Sequence, residues 1–477
     1  TSSTGTLNDA NSNTGVGIGV FGALTSGDNN VAVGLNALDV NTTGSDNTSA
    51  GSLSLNVNTT GSSNTGFGRA TLLSNTTASE NTAIGGASLL GNTTGAQNTA
   101  VGANSSRCNT TGATNVAVGY NSLTANTTGT NNVAVGKDAL KTNVSGQQNV
   151  AIGVCALNAN TGYNNVAVGY QALDANIGGD SNVAVGLHSL LLNTTGNYNV
   201  AVGRKALCSN TTGLTNVGIG LTALNDNTTG TNNIAIGCGS MLDHSTGDSN
   251  VAVGVATLFN NTTASDNTSV GSYSMIKNTT GTANVALGTN AMACNTTASN
   301  NTALGAQSLR LTTTGAANTA VGYRAMEDNT TGSANVAIGC AALVTNTTGC
   351  CNVAVGCETL GANTTASFNT GLGARALQTN TTGAANTALG YVTLQANTTG
   401  ANNTAVGNIA LIDNTTGSAN TALGYRAMCD STTGSDNTAI GADALLAHTT
   451  GTRNTAVGRN AGLSITTGTE NTIMGRT

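Results

Sequence analysis

Ten cysteines, three histidines and a recurring Asn-Thr-Thr tripeptide are the parts of this 477-residue chain whose side chains could do chemistry. Paired thiols would give a disulfide or a metal site, but no CxxC pair with zinc spacing is present, and adjacent Cys350 and Cys351 make a poor metal pair. His188, His244 and His448 lie far apart along the chain. Asn-Thr-Thr matches the acceptor pattern for N-glycosylation at Asn41, Asn58, Asn92, Asn210, Asn278 and Asn380, among many positions. A phosphate-binding loop would occur once, between a strand and a helix, whereas the glycines here recur with a fixed period and so mark turns. Which of the reactive groups can meet depends on the elements that carry them.

Those elements are one short unit copied end to end. From Gly17 a glycine returns at every seventeenth residue up to Gly475, with a single step of sixteen, and an asparagine stands four residues before each, giving 28 Asn/Gly pairs. With the glycine numbered phase 17 and the next residue phase 1, Leu35 to Gly51 is a typical unit. Phase 4 is Leu or Met except at Thr4, Phe21, Ser106 and Gly462. Phase 14 is Thr, Val or Ile, phase 15 is Gly, Ala or Ser except at Ile473, and phase 16 is always apolar. Phases 7 to 10 usually read Asn-Thr-Thr-Gly. The short step falls in residues 154–169, where Asn160-Thr161-Gly162 has lost one residue of that segment. A loop tolerates such a loss and a strand does not, because a slip of one residue flips every later side chain.

Charged residues make up 7% of the chain and aromatics 3%, and proline and tryptophan are absent. Disordered chains are usually highly charged or proline-rich, so this composition, with a regular β-branched period, predicts an ordered rod. Seventeen residues are too few for a helical hairpin, and Gly, Asn and Thr are poor helix formers. The period therefore predicts an all-β fold, a parallel β-solenoid of about 28 coils that spans about 130 Å at roughly 4.8 Å per coil. One strand is expected at phases 13 to 16 and a second at phases 2 to 5. No linker or composition shift interrupts the repeat, so residues 1–477 read as one continuous solenoid, with an irregular first coil at 1–17 and an atypical last coil at 459–477. The missing prolines fit, since every coil must donate N–H groups to its neighbour.

Alternation within the strand sets the expected faces. Phases 14 and 16 carry the larger side chains, which places them inside with the phase 4 leucine and turns the phase 13 asparagine and phase 15 alanine outward. A row of small residues at phase 15 then means either another chain packed close against it, as in a trimer, or a tight corner inside the coil. Of the 20 acidic residues, all but Asp9 sit at phases 2, 5, 6, 11 and 12, which marks those phases as solvent-facing. A net charge of −6 on so long a surface forms no patch, so nucleic-acid and anionic-membrane binding lack their electrostatic basis, and no apolar span suits membrane insertion.

All ten cysteines fall at outward phases as well. Cys340 and Cys357 share phase 1 on successive units, and a rung of about 4.8 Å lies within disulfide reach. The other eight have no evident partner in the chain and read as free surface thiols, links between chains, or drift at tolerant positions. The histidines occupy phases 2, 7 and 7, several coils apart, so no catalytic, cofactor or metal site is expected. At phase 7 the tripeptide has two readings, a dense glycan coat or stacked side chains that satisfy the turn along a ladder, and the recurrence of the turn favours the second.

Units such as Asn115 to Thr130 and Asn420 to Ser435 resemble the repeats of tail-fibre-type surface proteins of phages, bacteria and large viruses. The segments Asn132 to Gly136 and Asn437 to Gly441 are similar to the head repeats of trimeric autotransporter adhesins, whose unit is shorter and lacks the Asn-Thr-Thr-Gly segment. The resemblance covers essentially the whole chain and implies an extracellular fibre or adhesin, often trimeric, built as a parallel β-roll. Thr1 falls at phase 1 and Thr477 at phase 2, so the ends read as cut from a precursor, and chains are expected to join head to tail with Arg476 and Thr477 near the next Thr1. The expected function is a self-assembling structural subunit of an extracellular or virion-associated fibre whose partners are copies of itself. The alternative is an adhesin shaft that holds a cell-surface receptor or glycan, although Tyr120, Tyr170, Tyr323, Tyr391 and Tyr425 are scattered and not gathered at a tip. An ice-binding solenoid is a lesser alternative, because adjacent threonines at phases 8 and 9 give only one outward hydroxyl per coil.

Overall fold

The computed structural model describes residues 10–476 as strands, turns and bends, with no helix among them. It is an all-β parallel solenoid with a repeat of about 17 residues, as the period predicts. The chain divides into two compact units, residues 1–233 and 234–477. The first holds thirteen strands, β1 (Thr14–Val16) to β13 (Val217–Ile219), and the second holds fifteen, β14 (Ile234–Ile236) to β28 (Thr472–Met474). The repeat runs through position 233 unchanged.

Within each unit, strands pair in parallel and phase on phase, as in Val166 with Val183 and Ala167 with Ala184. The sixteen-residue step leaves this register intact: β9 (Val150–Ile152) pairs with β10 (Val166–Val168) as Val150 with Val166. The lost residue comes out of the turn, where Asn160 Nδ2 donates to Gly162 O at 3.0 Å, two residues on instead of three.

Each coil has one strand, of three residues, and not two. Phases 2 to 5 form a turn because phases 2 and 4 take left-handed backbone, with φ of 53° at Asn36 and 49° at Leu38. A leucine in that region costs about 1–2 kcal/mol, which burial of its side chain offsets with about 1.5–3 kcal/mol. The amides stay satisfied. Leu53 N donates to Leu35 O at 2.8 Å, Leu38 N to Ser54 O at 3.2 Å and Val40 N to Asn56 O at 3.0 Å, so bonds between coils continue through the turn. At phase 17 glycine is required twice over: φ is 136° at Gly34, and a Cβ there would lie 2.6 Å from Gly51 O.

The strand faces are the reverse of the expectation. Phase 15 points inward, with Ala32, Ala184 and Ala405 fully buried, whereas Val31 and Val33 at phases 14 and 16 are 38% and 41% exposed. Room decides the matter. The phase 4 leucine fills the coil, so the strand residue that faces it must be small; a Cβ on Gly218 would lie 3.3 Å from Leu207 Cγ. Two atypical coils keep the same volume by exchange. Phe21 at phase 4 faces Gly15 at phase 15, where a Cβ would lie 3.1 Å from Phe21 Cδ2, and Gly462 at phase 4 faces Ile473, with 3.2 Å from an added Cβ to Ile473 Cδ1.

Two asparagine ladders complete the interior of each unit, and phase 13 is therefore inward too. Asn47 N and Nδ2 donate to Asn30 Oδ1 at 2.9 and 3.1 Å, and Nδ2 also donates to Gly61 O at 2.9 Å. At phase 7, Asn58 Nδ2 donates to Asn41 Oδ1 and to Gly61 O, both at 2.8 Å. Buried amides need such partners, and a stack of identical coils supplies them from the same side chain one rung away.

Candidate functional surface on the strand face

With phase 15 inside, phases 14 and 16 stand on the outside of the sheet, an apolar rank at phase 16 beside a rank of Thr, Val and Ile at phase 14. In the first unit they run from Thr14 and Val16 to Val217 and Ile219, and in the second from Ile234 and Ile236 to Thr472 and Met474. Neither phase holds a charged residue anywhere in the chain. Leu372 and Leu423 are each 45% exposed, and Ile84, Ile152, Ile338 and Ile440 are exposed likewise. Beside these ranks, phase 1 adds the exposed Tyr120, Tyr170, Tyr323, Tyr391 and Tyr425, distributed through both units.

Charge lies elsewhere on the coil. The described acidic residues are exposed or half-buried, as their phases predict, except Glu327, which is 5% exposed. Arg310 Nε donates to its Oε1 at 2.7 Å and Arg324 Nε donates to its Oε2. Burial alone would raise this carboxyl; the hydrogen bonds and charges of Arg324 and Arg310 outweigh it and hold the group below the usual carboxylate range. At phases 8 and 9 one hydroxyl per coil does face out. Thr43 is exposed, while Thr42 Oγ1 donates to Thr59 O at 3.0 Å.

The glycosylation candidates lie in the interior. Asn41, Asn58, Asn92, Asn210, Asn278 and Asn380 are fully buried. Asn92 Nδ2 donates to Asn75 Oδ1 and Gly95 O, both at 2.9 Å, and Asn278 Nδ2 to Asn261 Oδ1 and Gly281 O, both at 3.0 Å. Both amide hydrogens are in use, so a glycan on such a nitrogen is incompatible with the folded coil. Of the two readings of phase 7, the ladder is the one these contacts describe.

His244 and His448 replace asparagine in that ladder and are fully buried. His244 Nε2 lies 2.8 Å from Gly247 O and its Nδ1 2.9 Å from Asn261 Nδ2, contacts that a neutral ring protonated on Nε2 satisfies as donor and acceptor. Burial pushes the His244 pKa down, more than the Gly247 carbonyl and Asp248 raise it, and burial lowers that of His448 likewise. His188, by contrast, lies near the surface with Nε2 3.1 Å from Gln171 Oε1. Among the described residues no group of three or more His, Cys, Asp or Glu side chains could hold a metal.

All ten cysteines are free thiols. The bridge expected between Cys340 and Cys357 is not formed here; the two thiols are exposed, at the same phase of successive coils. Arg476 is exposed; Thr1 and Thr477 lie outside the described residues. No helix among the described residues is long and apolar enough to cross a membrane. Compared with known proteins, the chain matches no family model and no curated sequence.

The strand face itself is what a reading of side-chain size misses, since size places its residues inside. A signal for it is nevertheless present in the sequence: the exchange of large and small between phases 4 and 15, at Phe21 with Gly15 and at Gly462 with Ile473, marks those two phases as facing neighbours.

Proposed function

We propose that this chain is a structural subunit of an extracellular or virion-associated fibre that assembles with copies of itself, side by side through the strand face and end to end through residues near Arg476. The observation that carries the reading is the uncharged double rank at phases 14 and 16, half-buried to exposed and apolar throughout phase 16. Apolar patches above a few hundred Å² mark interaction sites on soluble proteins. At about 4.8 Å per rung and about 10 Å of strand width, the fifteen strands of the second unit offer a face of about 700 Å², apolar along phase 16 and threonine at ten of its phase 14 positions. That is close to the ~800 Å² per partner of a stable interface. A second copy presents an identical rank with the same rung spacing, which makes it the partner whose shape and chemistry match over the whole length of the face. The resemblance to fibre and adhesin repeats points the same way.

A second reading has one observation in its favour. Seven consecutive phase 14 residues, Thr370 to Thr472, are threonine, so outward hydroxyls stack at rung spacing beside the apolar rank. An ice-binding face would need such an array, though here the second rank is Leu, Val, Ile and Met.

The test is electron cryo-microscopy with light scattering on the purified chain and on a triple variant, Leu372→Lys, Val406→Lys and Ile440→Lys. Laterally bundled assemblies with a layer spacing of about 4.8 Å for the natural chain, and loss of lateral contacts in the variant, are the expected results. Single chains at high concentration, together with thermal hysteresis that the variant lacks, would move the assignment to ice.

A further inference from the structure

We propose that Cys340 and Cys357 are a modification site at which a small-molecule disulfide, such as oxidised glutathione, installs a covalent bridge between two successive coils of the second unit. The inference does not depend on the fibre reading. It rests on the stacking of two exposed thiols at the same phase. Gly356 N donates to Ile338 O at 2.8 Å and Glu358 N donates to Cys340 O at 3.0 Å, so backbone bonds on either side of Cys357 hold it one rung above Cys340. The rung spacing of about 4.8 Å falls within the Cα separations that disulfides span.

The other eight cysteines lack this arrangement. Cys108 has Gly91 and Ala125 at its phase on the adjoining coils, and Cys429 has Ile412 and Leu446. Burial and Asp430 push the Cys429 thiol up to about 12, and burial and the neighbouring Cys340 push that of Cys357 up as well, so the pairing and not an activated thiol sets positions 340 and 357 apart. Selectivity therefore comes from the fold: a thiol that has reacted at position 340 or 357 has its resolving partner one rung away, and a thiol elsewhere does not.

The chemistry balances in two exchanges. One thiolate attacks oxidised glutathione to form a mixed disulfide and releases one glutathione; the second thiolate attacks the first cysteine sulfur and releases the other. Two protein thiols lose two electrons, the small disulfide gains them, and both protons leave on glutathione. The product closes the segment 340–357 into a loop and ties the two coils in their native register.

The full chain, reduced and then freed of reductant, would be incubated with oxidised glutathione, alkylated, and mapped by peptide mass spectrometry. In most chains Cys340 and Cys357 are expected as a linked pair that has lost two hydrogens. Cys340→Ser, a change at an exposed position, should leave Cys357 carrying glutathione instead. Glutathione on both residues without a link, no reaction at either, or a bond from either to a different cysteine would overturn the proposal.

Discussion

Asn58 and Leu389 represent two regions that repeat with equal regularity, the corner of the coil and the outer face of the strand. At the corner the residue types follow from contacts inside the molecule. Asn58 Nδ2 has two acceptors at 2.8 Å, so a substitution there leaves the buried Asn41 Oδ1 without a donor. On the strand face Leu389 is 37% exposed and its backbone is already paired with the strands beside it, so a polar β-former would serve the fold as well. The first regularity has an internal cause. The second calls for a cause outside the chain, and the proposed neighbouring copy would supply one.

Breaking the inner region should have the largest effect. Asn403 N and Nδ2 donate to Asn386 Oδ1 at 3.0 and 3.1 Å, Nδ2 donates to Gly417 O at 2.8 Å, and Asn403 Oδ1 accepts from Asn420 N at 3.0 Å. Asn403→Ala strips Asn420 N of its acceptor and removes one of the two side-chain donors of Gly417 O, which keeps Asn414 Nδ2 at 3.0 Å. At about 1–3 kcal/mol for the orphaned amide, local stability should fall by about 2–3 kcal/mol, read as a loss of amide exchange protection of about thirtyfold to a hundredfold in residues 386–420. A change below tenfold would show that the ladder is not what holds the corner.

A gentler break uses protons. His244 is neutral and buried in the ladder, with its pKa pushed below the ordinary 6.5 by burial. In the unfolded chain the ring takes up a proton near that ordinary value, so between the folded pKa and 6.5 the unfolded state binds more protons and stability rises with pH. The contribution is complete above about pH 7.5 and is lost progressively as pH falls through 6.5. Amide exchange in coils around His244, measured from pH 7.5 to 5.5 after correction for intrinsic rates, should show weakening that His244→Asn abolishes. The same acid sensitivity in the His244→Asn protein would place its origin elsewhere.

What the sequence made legible was whatever depends on the period: the solenoid, the loop origin of the short step at Asn160, the phase 4 core and the outward charges. What it hid depends on direction and compensation. Alternation says that phases 14 and 16 share a face but not which face, and size favoured the wrong one because the small space opposite Leu207 is a tertiary fact. Leu38 at φ 49° runs against its own preference, and only the bonds to neighbouring coils make it tolerable, so propensity proposed a strand there. Glu327 sits at a solvent-facing phase yet is covered by Arg310 and Arg324, one of them from the preceding coil. The cysteine pair was visible because shared phase on successive coils is a statement about the period alone.

Repairing the inner region sharpens the same comparison with a smaller effect. Thr312 takes the phase 7 place of asparagine, and its short side chain leaves Asn295 Oδ1 buried without a partner, while Asn329 Nδ2 reaches Thr312 Oγ1 only at 3.4 Å. Thr312→Asn should restore a donor to Asn295, a donor to the Gly315 carbonyl and an acceptor for Asn329, raising local stability by about 1 kcal/mol. Slower amide exchange in residues 295–329 is the readout; unchanged or faster exchange would mean that the pocket around Thr312 has closed over the space an asparagine needs.

The smallest expected change is the stability of the strand-face variant with lysine at positions 372, 406 and 440. These residues stand on alternate coils, so the new charges lie about 9.6 Å apart, near the screening length at physiological salt. Surface substitutions of this kind usually stay within about 0.5 kcal/mol each. Amide exchange in the second unit should therefore be nearly unchanged under conditions where the natural chain is kept dispersed, even as lateral assembly is lost. If the lysines instead unfold the coils around them, the apolar rank has an internal duty after all, and the contrast between Asn58 and Leu389 fails at its outer end.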